Sequence, residues 1–310
     1  MENNMKITTI SNFLWDKENT TAIKGFAIIC VILSHVANFW GVSWFTPLGG
    51  IGVSMFLIMS GYGLTLSYKK NGLTDFWQKR VVSAYIPYAI TCLFAPLLGA
   101  TFKQVGMSIL LIKPFSAYWW FMQYLFIWYT LFGVVNALRI SGKMKMRLFV
   151  MVAVICFVVC RTPLRGEQAF SFVIGVLLAT YGVKWKKYMV GILAMLIGVF
   201  ALAIKQIPMV RNADITYLWN FIQLLNKVGI SIGVIFIMVY ARRLVKSRLM
   251  QFIGNISFEL YLVHSYTIRL VSQSNVKIER YALFIVITIV CAILFNYINR
   301  QYRSFLIKRK

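Results

Sequence analysis

The chain has 310 residues, 60% of them hydrophobic and 13% charged, with a mean hydropathy of +0.73 and a formal net charge of +25. No soluble core of this length needs so much apolar sequence, so composition excludes an ordinary soluble domain and points to a polytopic helical membrane protein. The charge alone invites a nucleic-acid reading, but its segregation into short connections between apolar runs favours anionic lipid and cytosolic anions instead.

Residues 1–21 are polar and lack the layout and cleavage site of a signal peptide, so the first helix is expected to insert uncleaved. Apolar runs follow near 22–40, 50–68, 81–99, 119–138, 147–161, 168–183, 187–204, 217–241, 250–272 and 281–299. They predict an all-α transmembrane bundle of about ten spans. The runs 147–161 and 168–183 are short for a hydrocarbon core of about 30 Å. FKQVGMSILLI at 102–112 is shorter still and reads as interfacial or re-entrant. Of the 33 Lys and Arg, 23 fall in alternate connections that include both ends of the chain, and eight fall in the others. The positive-inside rule then puts both termini in the cytoplasm. The expected organisation is a cytoplasmic segment 1–21, one membrane domain 22–300 and a basic cytoplasmic tail 301–310. No internal repeat suggests a transporter built from two halves.

The only histidines are His35 and His264, both in apolar runs. Lys24 opens the first run and His35 follows eleven positions later, about three helical turns or roughly 16 Å along one stripe. An ionisable residue within the bilayer is costly and is a functional candidate by default. The competing reading for His35 is a satisfied interhelical hydrogen bond. Ser257, Tyr261 and His264 share a helix face by their spacing of four and three. Glu259 lies deep in that run, where it either fixes a histidine tautomer or pairs with Lys227; the pair is favoured, because an unpaired buried charge is expensive. Arg269 is expected near the outer interface, through snorkelling or contact with phosphate. The aromatic run 118–129 forms either a stacking wall or an interfacial belt. Five cysteines in apolar runs make no disulfide framework and, with two scattered histidines, no metal site.

Several patterns recur in order: K-x10-H from Lys24 to His35; GVSMFLIMSGYGLTLSY, with Ser60 and Tyr62; FWQKRVVSAYIPY, with Lys79, Arg80 and Pro87; AYWWFMQYLFIWY, with Trp119 and Trp120; and GNISFELYLVH, with Glu259, Tyr261 and His264. In this order they resemble the integral-membrane acyltransferase-3 family, bacterial O-acyltransferases of ten helices, over about residues 20–300. The resemblance implies transfer of an acyl group, usually acetyl from cytosolic acetyl-CoA or another acyl-CoA used as co-substrate, to a hydroxyl of a cell-envelope polysaccharide or lipid-linked glycan. No permanently bound cofactor is expected, and the location is the bacterial inner membrane. It makes His35 the catalytic residue and makes Lys24, Lys79 and Arg80 ligands of the CoA phosphates. Asn38, Ser60, Trp119, Trp120, Glu259, Tyr261 and His264 become candidates for binding or orienting substrate. The family's third helix usually carries R-x-x-R before its proline; Arg80 matches the first arginine, and Ser83 stands in place of the second.

The chemistry of the residues agrees. A hydroxyl attacks a thioester poorly until a base withdraws its proton, and histidine titrates near neutrality. The rival reading is a transporter or flippase of lipid-linked glycans, and a structural membrane partner of a glycan-assembly complex is a third. The charge split makes a direct prediction about topology. Cysteine labels placed in 69–78 and 242–249 should react only from the cytoplasmic side, and labels in 41–48 and 205–214 only from outside. Labelling of 242–249 from outside would sink the ten-span arrangement.

Overall fold

The computed structural model describes residues 16–39, 41–160, 163–182, 188–212, 215–272 and 277–307. All regular structure among them is helical. The main elements are α1 (Lys17–Phe39), α2 (Thr46–Asn71), α3 (Phe76–Arg80), a π-helical turn (Val81–Tyr85), α4 (Ile86–Leu93), α5 (Phe102–Ile109), α6 (Trp120–Ala137), α7 (Gly142–Val159), α8 (Ser171–Tyr181), α9 (Tyr188–Ile204), α10 (Thr216–Tyr240), α11 (Arg248–Asn255), α12 (Ser257–Ser272) and α13 (Lys277–Ile307).

Each apolar run carries helix, and the expected all-α class is the observed one. Among the described residues, four segments are long and apolar enough to cross a membrane: Lys17–Ala37, Thr46–Asn71, Thr216–Met238 and Ala282–Leu306. The other runs are shorter or broken. The helix of run 168–183 has only 11 residues, about half a bilayer in length. Run 81–99 passes through a π-helical turn and ends its α-helix at Leu93. Run 250–272 is interrupted at Ile256, between α11 and α12. The 102–112 segment forms α5, whose start is closed by a capping box between Thr101 and Gln104. At its far end Tyr88 and Tyr85 donate to the carbonyls of Ser108 and Ile109, and the Leu111 N–H shares the Ser108 carbonyl at 2.9 Å.

The chain divides into two compact units that interleave in sequence. One holds residues up to Gly72 together with Leu138–Asn255; the other holds Leu73–Ala137 together with Ile256 onward. In the first unit α2 packs on α1, α8 and α10, α9 lies along α10, and α11 crosses α1. Its core gathers Ile23, Ala27, Ile51, Met55, Ile58 and Tyr62. These helices touch through backbone. A side-chain carbon on Gly254 would lie 2.0 Å from the Thr21 carbonyl oxygen, and one on Gly61 would lie 2.2 Å from that of Phe172. Lipid is as apolar as leucine, so helices in a membrane associate through such close contact rather than hydrophobic drive. In the second unit α12 packs on α13 and α4, and Trp119, Tyr88, Tyr124, Trp128 and Phe132 are buried.

Gly254→Val should therefore lower thermal stability by about 3 kcal/mol, the upper range of an overpacked core. Gly142→Ala, whose added carbon would meet nothing within 4 Å, should not. Equal melting temperatures for both purified variants would show that α11 does not depend on this crossing.

Candidate active site

The first turns of α1 carry Lys17, Thr20, Thr21 and Lys24, residues whose spacing puts them on adjoining faces. The Thr20 and Thr21 hydroxyls donate to the carbonyl oxygens of Asp16 and Lys17, at 3.1 and 2.7 Å, and so tie the side chains to the start of the helix. α2 brings Tyr62 and Gly63 to the same place, and α11 brings Gly254 and Asn255. Together they wall a cavity of about 390 Å³. The first, second and fifth sequence patterns thus converge on one hollow. None of its described lining residues is acidic, and the positive end of the α1 dipole adds to the two ammonium charges. The arrangement suits a polyanion such as phosphate. Lys17 was not singled out by sequence; its signal is the seven-residue spacing to Lys24.

His35 is half-buried on the same continuous helix, three turns beyond Lys24. Its neighbour Ser34 donates to the Thr46 carbonyl oxygen at 2.8 Å and lies against Gly49. That contact sets His35 level with the first turn of α2. Asn38 belongs to α1, but its side chain lies outside the described residues. Ser60 is half-buried on α2 and is not among the residues lining the cavity. A larger hollow of about 520 Å³ between α9 and α10 is walled by groups such as Met195, Leu196 and Phe236; among its described lining residues the one polar side chain is Tyr240, and none is charged.

In the second unit, Pro87 decides the geometry around Arg80. Proline has no N–H, so it leaves without a donor the Ser83 carbonyl that an α-helix would use and the Val82 carbonyl that a π-helix would use. The last helix supplies both donors: Tyr302 Oη to Val82 at 3.0 Å and Arg303 Nη2 to Ser83 at 2.9 Å. A guanidinium therefore stands at Ser83 after all, delivered by Arg303. Arg80 sits over the rings of Tyr129 and Phe76, at 5.7 and 6.0 Å, and its Nε is buried without a hydrogen-bond partner among the described residues. Lys79 is half-buried beside it in α3.

The model of the acyltransferase-3 family, described as an acyltransferase domain, matches residues 19–298. The chain belongs to this family. It is a membrane acyltransferase, and the matched region runs through both units. Neither the curated proteins nor the solved structures contain a significant match.

The remaining candidates of this acyltransferase fall in the second unit. Trp119 is fully enclosed between Tyr88 and Tyr266, with ring centroids at 5.7 and 5.4 Å, and turns no face outward. Trp120 is half-buried against Tyr124 and Phe121. Tyr261 donates its hydroxyl to the Tyr118 carbonyl at 2.8 Å. His264 is fully buried with Nδ1 2.6 Å from the Tyr261 carbonyl oxygen; a carbonyl only accepts, so the proton is on Nδ1. Arg269 stacks over Phe115 at 4.7 Å.

One sequence expectation is corrected. Glu259 does not pair with Lys227. It accepts from Asn299 Nδ2 at 2.9 Å and stands 3.9 Å from Arg303 Nη2, while Lys227 forms a buried ion pair with Glu167. The physical demand for a partner was read correctly, but Glu167, just before run 168–183, was not counted as a buried acid. Double-mutant cycles in thermal unfolding should accordingly couple Lys227→Gln with Glu167→Gln by roughly 1–3 kcal/mol. Lys227→Gln and Glu259→Gln should add. The reverse pattern would overturn both pairings.

Proposed function

We propose that the protein moves an acetyl group from cytosolic acetyl-CoA to a hydroxyl of a cell-envelope polysaccharide or its lipid-linked precursor, in the bacterial inner membrane. The observation that carries this reading is the cavity around Lys17 and Lys24, on the same helix as His35. The lysines take the donor's phosphates, and the thioester arm runs along α1 toward His35, a separation of roughly 16 Å. His35 withdraws the acceptor's proton as its oxygen attacks the thioester carbonyl. The carbon–sulfur bond breaks, and the CoA sulfur leaves as a thiol once protonated. The segregation of basic residues supports a donor side that faces the cytoplasm.

His35→Ala should lower the turnover of purified, folded enzyme by roughly 10² to 10⁴, the usual share of general base catalysis. Near-wild-type turnover would remove His35 from the chemistry. Lys24→Glu and Lys17→Glu should weaken acetyl-CoA yet leave acetyl-pantetheine, which lacks the nucleotide phosphates, nearly untouched. Equal damage with both donors would mean that these lysines support the fold. The same two donors, applied to Arg80→Glu, test the assignment of Lys79 and Arg80 made from sequence. Mass spectrometry of envelope glycans from cells with and without the gene should show one lost acetyl mass.

A further inference from the structure

The outward half of α10 is unusual for an apolar helix. Asn220, Gln223 and Lys227 recur at three and four residues, all buried, and intramembrane polar groups face protein or a polar path rather than lipid. Lys227 lies against Gly50, and Asn220 lies against Gly166, next to Glu167. Gln168 donates to the Gly50 carbonyl at 2.8 Å. Gly50 follows Gly49, the residue that touches Ser34 beside His35. The Lys227 end of this polar stripe is therefore level with His35, and Gln223 and Asn220 continue it by roughly 6–10 Å away from Lys24.

The charges there do not cancel. Glu167 is committed to Lys227. Lys205, just past α9, bonds to a neutral group, Gln223 Oε1, at 3.4 Å. Burial and then the Lys227 charge hold the Lys205 ammonium below the ordinary lysine pKa, against a smaller opposing pull from Glu167. Asn220 is fully buried, yet neither atom of its amide has a hydrogen-bond partner among the described residues. A buried amide without partners costs about 1–3 kcal/mol, and the half-buried Lys205 ammonium, on Gln223 one turn further along α10, adds a positive charge that would attract an anion to this place.

We propose that Lys205, with Asn220 and Gln223, forms a subsite for an anionic substituent, a carboxylate or phosphate, on the sugar that accepts the acyl group. The word acceptor rests on the acyl-transfer reading; the anion site does not. The Lys205 ammonium supplies charge, the Asn220 amide donates a hydrogen bond, and the Lys227–Glu167 pair holds α10 in register. A neutral sugar leaves the cation and the amide unmatched, so the subsite selects acidic or phosphorylated glycans.

The test is saturation-transfer NMR titration of the full-length protein in phosphatidylcholine nanodiscs with glucuronate, glucose 6-phosphate and glucose. The wild type should bind one of the two anionic sugars at least tenfold more tightly than glucose, and which one distinguishes carboxylate from phosphate. Lys205→Gln and Asn220→Ala should each erase the preference with melting temperature retained. No preference in the wild type, or a preference that survives Lys205→Gln, would overturn the proposal. Displacement of the bound sugar when phosphatidylglycerol replaces phosphatidylcholine would identify a lipid headgroup site and overturn it as well. Acetyl-CoA consumption by the same wild-type sample is the separate check on acyl transfer: its absence would remove that reading while leaving the sugar titration to decide the anion site.

Discussion

Backbone contact between helices governs the first unit. Where Gly254 meets Thr21 and Gly61 meets Phe172, no side chain fits between the chains, and van der Waals attraction replaces the solvent-driven force available to soluble proteins. The site inherits its shape from these crossings. α11 reaches the start of α1 only because Gly254 permits it, and Gly254 with Asn255 then closes one wall of the hollow around Lys24. Gly61 in the second sequence pattern and Gly254 in the fifth are therefore packing residues, whereas Gly63, with nothing against it, opens directly on the hollow.

The second unit is organised by satisfying polar groups. A proline in mid-helix and a buried glutamate each raise a demand that sequence neighbours do not meet, and a buried histidine raises one that its own helix answers. Tyr302 and Arg303 answer the first, Asn299 and Arg303 the second, and the Tyr261 carbonyl the third. Arg303 serves two of these demands. Its replacement would expose a carbonyl and a carboxylate together, so its value exceeds that of a surface ion pair.

Much of the fold was legible. Long apolar runs such as 22–40 and 217–241 give helices because lipid and core alike require internally bonded backbone. The break at Ile256 was not legible, since the composition of 250–272 stays apolar across it; what changes is the amphipathic pattern of α11, whose one face lies on α1. At the site, the Lys24 and His35 pairing along α1 was read from spacing alone. Lys17 was missed because it precedes the apolar run. The partner of Lys227 was missed because Glu167 lies 60 positions away, in a segment that sequence assigns to a connection. The identity of a buried ion pair is a tertiary fact that periodicity does not carry.

The interleaving of the two units has a consequence for synthesis. The first unit has all its parts once Asn255 has emerged, whereas the second opens at Leu73 and waits for the helix that begins at Lys277. Until Tyr302 and Arg303 leave the ribosome, the carbonyls of Val82 and Ser83 lack both the N–H that Pro87 cannot supply and the side chains that replace it. The segment around Pro87 must spend most of translation in a provisional state, held by lipid headgroups, water or the insertion machinery. The last stretch of the chain thus acts as a clasp, and quality control that senses bare backbone in the membrane would find its target here.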